Sequence, residues 1–369
     1  MSSLIVKIVK INKIEKHPNA DRLQIAYMED NDWSVVIGLN QFKVGNLAIY
    51  VPVDSLLDEK LENYLFPLDS KIKLNNHRVR AIKIRSYISV GMFVELTQEL
   101  ISLYPELSKK KSGEDVASLL NIQKYEPPIR NLPKNMQGRI AKRNHSLFKK
   151  YTDIENIKFF TNVILIDEMV QISEKCHGSN SRYAVLPTET ISFWNKIKKF
   201  LRLLPKKEFL IGSHNIQLNI NKKLYYDRNI YAIIAKQYDI KNKLKLGEEI
   251  FGEIYGLEVQ KNYGYGLKNN ELRFLAFDVM KDGKYLNYQD FINFCDERNI
   301  PRVPVIFIGK FGDANLQELS TGKSIIGDQP IKEGCVVKPL IERLDRTGRV
   351  VYKSINPEYL LLKDVEDWH

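Results

Sequence analysis

Residues 174–180 read EKCHGSN and follow the strand-like run MVQIS, giving a K-x-x-G-x-N arrangement built on Lys175. A lysine amine that is to attack the α-phosphorus of a nucleotide must be held beside a tight backbone turn. Gly178 permits that approach because it lacks a Cβ, and Asn180 can hydrogen-bond a nucleotide sugar or orient the turn. A lone KxxG is common by chance. Its weight here comes from an ordered set downstream: FGEIYG at 251–256, FLAFDVM at 274–280, EGCVVKP at 333–339 and YKSINPEYLLLK at 352–363. Carboxylates such as Glu253 and Glu333 ordinarily sit on solvated surface, and only their place in that order argues otherwise. Phe274 and Phe277 alternate along one run, so at least one of them is core, and the pattern alone does not choose which.

Other features are set aside on chemical grounds. TGKS at 321–324 would need a glycine at position 317 to make a P-loop, and that residue is Gln317. The six histidines, His17, His77, His145, His177, His214 and His369, show no HExxH spacing. The three cysteines, Cys176, Cys295 and Cys335, lack CxxC spacing. Neither a protein zinc site nor a disulfide framework is expected, and a reducing compartment fits. Lys and Arg total 56 against 45 Asp and Glu, a net charge of +11 that favours a polyanionic partner such as nucleic acid. No apolar run approaches a membrane span. The N-terminal MSSLIVKIVKINKI alternates like a strand and is unlike a secretory leader, so an intracellular protein with no membrane partner is expected.

The elements that must carry these residues are legible in outline, and 369 residues allow two domains. Between Leu4 and Val94, short runs such as LQIAYM, WSVVIG, LAIYVPV and RVRAIKIR alternate with turn-forming stretches, which predicts a small β-barrel over residues 1–122. HPNADRL from His17, with FKVGN, YVPVDS and RAIKIRSYISVGM downstream, resembles the OB-fold tRNA-binding modules attached to some aminoacyl-tRNA synthetases. Pro18, Asn19 and Asp21 equally well build a turn only. Residues 123–150 read as a linker. YEPPIRNLP breaks regular structure, and Arg130, Lys134, Arg139, Lys142, Arg143, Lys149 and Lys150 give it a basic run without an acidic residue. Residues 151–369 mix strand-like and helical runs, so the chain is expected to be α+β, a barrel followed by a mixed α/β domain.

Taken in order, EKCHGSN and the four downstream segments resemble the motifs of covalent nucleotidyltransferases. EKCHGSN is particularly similar to the RNA ligase branch related to T4 RNA ligase of the second type. With the OB-like module in front, the chain resembles the nick-sealing RNA ligases of the Deinococcus and Naegleria type. The resemblance implies an ATP-dependent RNA ligase that joins 3′-OH and 5′-phosphate RNA ends, at nicks in a duplex, with ATP as AMP donor and Mg2+ or Mn2+ as the ion. It makes Lys175 the adenylylated nucleophile, with Glu174 beside the adenine, Asn180 on the nucleotide and His177 aiding the later steps. Glu253 would meet the ribose or the ion's water shell, Phe277 would stack on the adenine, and Glu333 would act through the ion. Lys338 would sit near the base and Lys353 would bind the α-phosphate.

Two positions depart from the pattern. Relatives often have a second lysine where this chain has Ile355, leaving Lys363 as another candidate cation, and an arginine where it has His214. Capping guanylyltransferases and DNA ligases use a similar lysine but typically carry an OB domain after the last motif, where only Asp364 to His369 stand here. A non-catalytic tRNA-binding protein is the remaining alternative, opposed by the intact set Lys175, Glu253, Glu333 and Lys353.

Overall fold

In the computed structural model the described residues are 4–29, 31–67, 69–70, 73–125, 144–160, 162–189, 206–219, 229–260, 263–346 and 348–362. The chain divides into two compact units. One gathers Met1–Ile129, Ile154–Thr161 and Ile355–His369; the other gathers Arg130–Asp153 and Asn162–Ser354. Arg130, Lys134, Arg139, Lys142, Arg143 and Lys363 lie outside the described residues.

The alternation of the N-terminal runs becomes five antiparallel strands: β1 (Lys7–Lys16), β2 (Leu23–Met28), β3 (Asn31–Gly38), β4 (Leu47–Val51) and β5 (Met92–Glu95). They lie in the order β3-β2-β1-β4-β5. β1 serves both halves, pairing with β4 over Lys7–Lys10 and with β2 from Ile11 to Lys16, and its register shifts between Ile11 and Lys13. Such a bulge bends a strand and lets a sheet curl. Val90 N–H donates to the Ser34 carbonyl at 3.3 Å, so the sheet returns on itself as a nearly closed OB-like barrel. Ile11, Met28, Val35, Ile37, Phe42 and Phe93 fill it. Two short helices, α1 (Glu59–Leu65) and α2 (Gln98–Leu103), are capped by Asp58 and Thr97, whose side chains accept from the amides of Leu61 and Leu100.

HPNADR builds structure. His17 is buried; Asn19 N–H donates to its Nδ1 at 3.1 Å, which leaves the ring proton on Nε2, 3.2 Å from the Ile84 carbonyl. That carbonyl belongs to a tight hairpin of Ile82–Ile84 and Tyr87–Ser89, turned by Arg85 and Ser86, both at positive φ. The run RVRAIKIR is thus not one strand: only Ile82–Ile84 of it is extended in a ladder. Arg78 is buried, bonded to Asp54 at 2.6 Å and stacked on Tyr125 at 3.6 Å, whereas Arg80, Lys83 and Arg85 are exposed.

In the second unit, β6 (Met169–Glu174) is followed by β7 (Ser179–Pro187), β8 (Lys207–Ser213), β9 (Gln217–Leu218), α3 (Ile230–Gln237), β10 (Glu248–Tyr255), β11 (Arg273–Lys281) and β12 (Lys284–Tyr285). Next come α4 (Tyr288–Glu297), β13 (Val305–Lys310), β14 (Gly334–Pro339) and β15 (Tyr352–Ile355). One antiparallel sheet runs β9-β8-β7-β10-β11-β12; in the other, β15, β14, β6 and β13 are neighbours. Because strand side chains alternate between faces, the first sheet has two characters. Tyr183, Val185, Ile250, Ile254 and Phe274 pack under Ile230 and Ile234 of α3 and Phe291 and Phe294 of α4. The intervening positions Asn180, Arg182, Glu249, Phe251 and Glu253 are turned to the opposite face, all of them buried.

Candidate active site

Lys175 stands in the crossing between the two sheets: β6 ends at Glu174 and β7 begins at Ser179. The crossing is held by its backbone on three sides. Glu174 N–H donates to the Pro304 carbonyl at 3.0 Å, Lys175 N–H to that of Gly334 at 3.0 Å, and His177 N–H to the Tyr265 hydroxyl at 2.6 Å. Gly178 is required there, since a Cβ would lie 2.2 Å from the Ile254 carbonyl oxygen. That close approach sets Asn180 opposite Glu253 in the β7–β10 register, where the two side chains are neighbours.

Lys175 Nζ donates to Glu333 Oε1, with both side chains buried, and His177 Nδ1 lies 3.9 Å from the other Glu333 oxygen. Glu253 joins the cluster electrostatically. Burial is the main cause that pushes its carboxyl well above the ordinary range; Lys175 opposes this and Glu333 adds to it. The Asn180 carbonyl oxygen Oδ1 is buried and, among the described residues, has no donor.

The choice between the two phenylalanines is settled. Phe274 is fully buried against Tyr183 and Tyr238, while Phe277 is half-buried, 4.7 Å edge to face from Tyr151. The β10–β11 register passes from Phe251 opposite Asp278 to Gly252 opposite Ala276, so Phe277 is the extra residue of a bulge. Bulges re-aim a side chain in this way next to active sites.

Lys338 donates to the Phe277 carbonyl at 2.7 Å and lies 3.0 Å from Asp278. Glu174 is buried and accepts from the Ser324 hydroxyl and, at 2.8 Å, from the Ile325 amide, so the TGKS segment anchors the residue before Lys175. Lys353 is buried on β15, and Ile355 on the same strand is buried as well. His214 Nε2 is 2.8 Å from Asp153; burial lowers its imidazole below the ordinary value while Asp153 opposes the shift.

Motif reading missed several residues of this region. Tyr263 and Tyr265 pack edge to face at 5.1 Å beside His177, and the only sequence signal is the glycine-tyrosine alternation after residue 262. Tyr151, Asp278 and Arg349 form a buried hydrogen-bonded set, of which Asp278 alone lies in one of the ordered motif segments.

Arg182 and Glu249 share the buried face. The Arg182 guanidinium lies 4.1 Å from the Phe148 ring centre and donates to the carbonyls of Ser213 at 2.9 Å and Phe148 at 3.0 Å. Burial pushes the Glu249 carboxyl up to about 8 from an ordinary 4.5, with Arg182 and Lys149 opposing. A carboxyl that keeps its proton to higher pH when folded favours the folded state at low pH and loses that contribution as pH rises from about 4.5 to about 8. Glu249→Gln should therefore unfold near the wild-type temperature at pH 5 and above it at pH 9, by on the order of a few kcal/mol at most. Thermal unfolding at the two pH values checks this; an equal difference at both would show that Glu249 is not buried as a proton-holding acid.

Among the described residues no three His, Cys, Asp or Glu side chains converge as a metal cage. Glu253 and Glu333 are nonetheless hard oxygen donors of the kind that hold Mg2+ or Mn2+ together with substrate phosphates.

A buried lysine thus stands beside two carboxylates at the seam of two sheets. The family model for RNA ligase matches residues 168–355, half of the chain, and an OB-fold domain model matches residues 5–96. The chain belongs to the RNA ligase family. No curated protein is matched by sequence comparison. Among solved structures, the apo form of a Naegleria gruberi RNA ligase mutant is 21% identical, with 98% of each chain covered and a TM-score of 0.68. Mutants of that ligase with ATP and Mn and with AMP and Mn are also 21% identical, covering 97% of this chain and 98% of theirs, with TM-scores of 0.68 and 0.69. At that identity the likeness is one of fold. No helix among the described residues is long and apolar enough to cross a membrane.

Proposed function

We propose that this protein is an ATP-dependent RNA ligase that seals 3′-OH and 5′-phosphate ends at nicks by way of a lysyl-AMP on Lys175. The observation that carries this reading is the buried convergence of Lys175 with Glu333 and Glu253, at a turn that only Gly178 allows. In the first step the neutral Lys175 amine attacks the α-phosphorus of ATP; a P–N bond forms and the bond to pyrophosphate breaks. An oxygen of the RNA 5′-phosphate then attacks that phosphorus, so the P–N bond breaks and AMP caps the 5′ end. Finally the 3′-OH attacks the 5′-phosphate, the phosphodiester forms and AMP leaves. Positioning and charge neutralisation supply most of the rate in such transfers.

Each side chain has a place in this scheme. Phe277 stacks on the adenine and Lys338 lies beside it. Glu174 orders the base side of the pocket through Ser324 and Ile325. Asn180 offers its buried Oδ1 to a ribose hydroxyl, which would end the cost of about 1–3 kcal/mol that a buried unpaired acceptor carries. His177 acts at the RNA end, and Lys353 on β15 binds the α-phosphate. Glu253 and Glu333 would hold Mg2+ or Mn2+ through water, and the ion supplies neutralisation of the charge that builds on phosphorus. The deciding experiment incubates the protein with α-labelled ATP or GTP and a divalent ion. Acid-stable label from ATP, and joining of nicked RNA, support the reading; label from GTP alone would make the protein a guanylyltransferase.

The barrel of the first unit is the RNA-holding part of this proposal, with residues 1–122 as its domain, 123–150 as a basic connector and 151–369 as the adenylylating domain. Arg80, Lys83 and Arg85 are its exposed cations on and beside the hairpin. Replacing all three by alanine should leave lysyl-AMP formation unchanged and weaken binding to nicked RNA. The log–log salt slope should fall by ~0.7–0.9 for each phosphate that is no longer neutralised. An unchanged slope would mean that this face does not meet RNA.

A further inference from the structure

Asp278 is buried at the end of the Phe277 bulge and is met by three donors from separate parts of the second unit. Tyr151 donates its hydroxyl to Asp278 Oδ2, Arg349 donates to the same oxygen at 2.9 Å, and Lys338 lies 3.0 Å from it. All four side chains are at least nine-tenths buried. Arg349 is fixed further by the Glu342 carboxylate and by the Tyr285 ring, 3.5 Å from its guanidinium carbon. Burial alone would raise the Asp278 carboxyl, yet Arg349 and Lys338 hold it below the ordinary carboxylate range.

Lys338 has a second bond that a plain ion pair would not need. Its ammonium donates at 2.7 Å to the carbonyl of Phe277, the bulged residue that has no partner in the β10 register. A buried backbone carbonyl outside a ladder needs a donor from elsewhere, and Lys338 supplies it. Tyr151 touches the other end of the same residue, its ring 4.7 Å from that of Phe277 at 61°. One buried network therefore grips Phe277 by both backbone and ring.

We propose that Lys338 is a positioning residue for the nucleotide: with Asp278, Arg349 and Tyr151 it braces the bulge that presents the Phe277 ring, and it acts on the base through that ring. The proposal rests on the reading that Phe277 stacks on the adenine. It differs from direct base recognition by Lys338, because the ammonium is already engaged by a carboxylate and a carbonyl. Buried networks of this kind rigidify what they hold.

The test is a double-mutant cycle in lysyl-AMP formation from ATP, with Lys338→Met and Phe277→Ala singly and together. Lys338→Met keeps length and leaves Asp278 with Arg349 and Tyr151. It should raise KM for ATP about tenfold with kcat little changed, and it should add nothing once Phe277 is alanine. Tyr151→Phe, which keeps the ring and loses the bond to Asp278, should behave alike with a smaller effect, and it carries the cycle where Lys338→Met fails to fold. Independent, multiplying effects of Lys338 and Phe277 would overturn the brace, as would a lowered Tm with unchanged KM. A Phe277→Ala protein with wild-type KM would instead refute the stacking role itself.

Discussion

Lys175→Ala should abolish acid-stable labelling from α-labelled ATP while retaining measurable joining of RNA whose 5′ end already carries AMP. Lys175 is the residue whose amine meets Glu333 in the buried cluster, and the neighbouring Cys176 thiol is held well above its ordinary range, first by burial and then by Glu253, Glu333 and Glu174. A thiol kept protonated does not compete with a lysine. The third step needs no lysine amine, only the pocket for the AMP leaving group and the ends of the RNA. The substitution also removes the Lys175 ammonium from beside Glu253 and Glu333, so Mn2+ should raise the unfolding temperature of the variant more than that of the wild type. Label that persists in Lys175→Ala would remove this residue from the mechanism.

The second large effect is expected from Glu333→Gln, where two roles predict opposite signs. If Glu333 only held the Lys175 ammonium by charge, its loss would release a neutral amine more readily and labelling would rise. If it organises the divalent ion beside the α-phosphate, labelling should fall by about a hundredfold or more. The fall is the expected outcome, together with a requirement for higher Mg2+ or Mn2+. Glutamine preserves the shape and a hydrogen-bond acceptor for Lys175, so the melting temperature should stay near wild type. A large loss of stability with near-normal specific activity would make Glu333 structural.

Much of this site was legible because its residues sit in short segments whose order survives without the fold. Lys175 and Gly178 lie in one crossing that leads into Asn180 on β7, and Glu253 and Glu333 follow in segments that the structure brings together. The choice between Phe274 and Phe277 was not legible, since a bulge changes the face of a strand and alternation assumes that there is none. The burial of Arg78 was not legible either, because Asp54 and Tyr125, far apart in sequence, draw it inward. The buried set of Tyr151, Asp278 and Arg349 has no local signature, because it assembles from three distant segments. The β-rich N-terminus and the mixed second unit were visible from periodicity alone; the two-sheet arrangement that divides β6 from β7 was not.

The crossing of Lys175–Gly178 from one sheet to the other has a consequence for how the protein matures. Glu253 belongs to the first sheet and Glu333 adjoins the second, so neither sheet alone brings Lys175, Glu253 and Glu333 together. On the proposed mechanism, a chain with one sheet formed has secondary structure, a partial core and no means of capturing AMP. Covalent labelling is therefore a stringent reporter of completed folding: during refolding its appearance should lag behind the recovery of β-sheet circular dichroism, and follow the docking of the sheets.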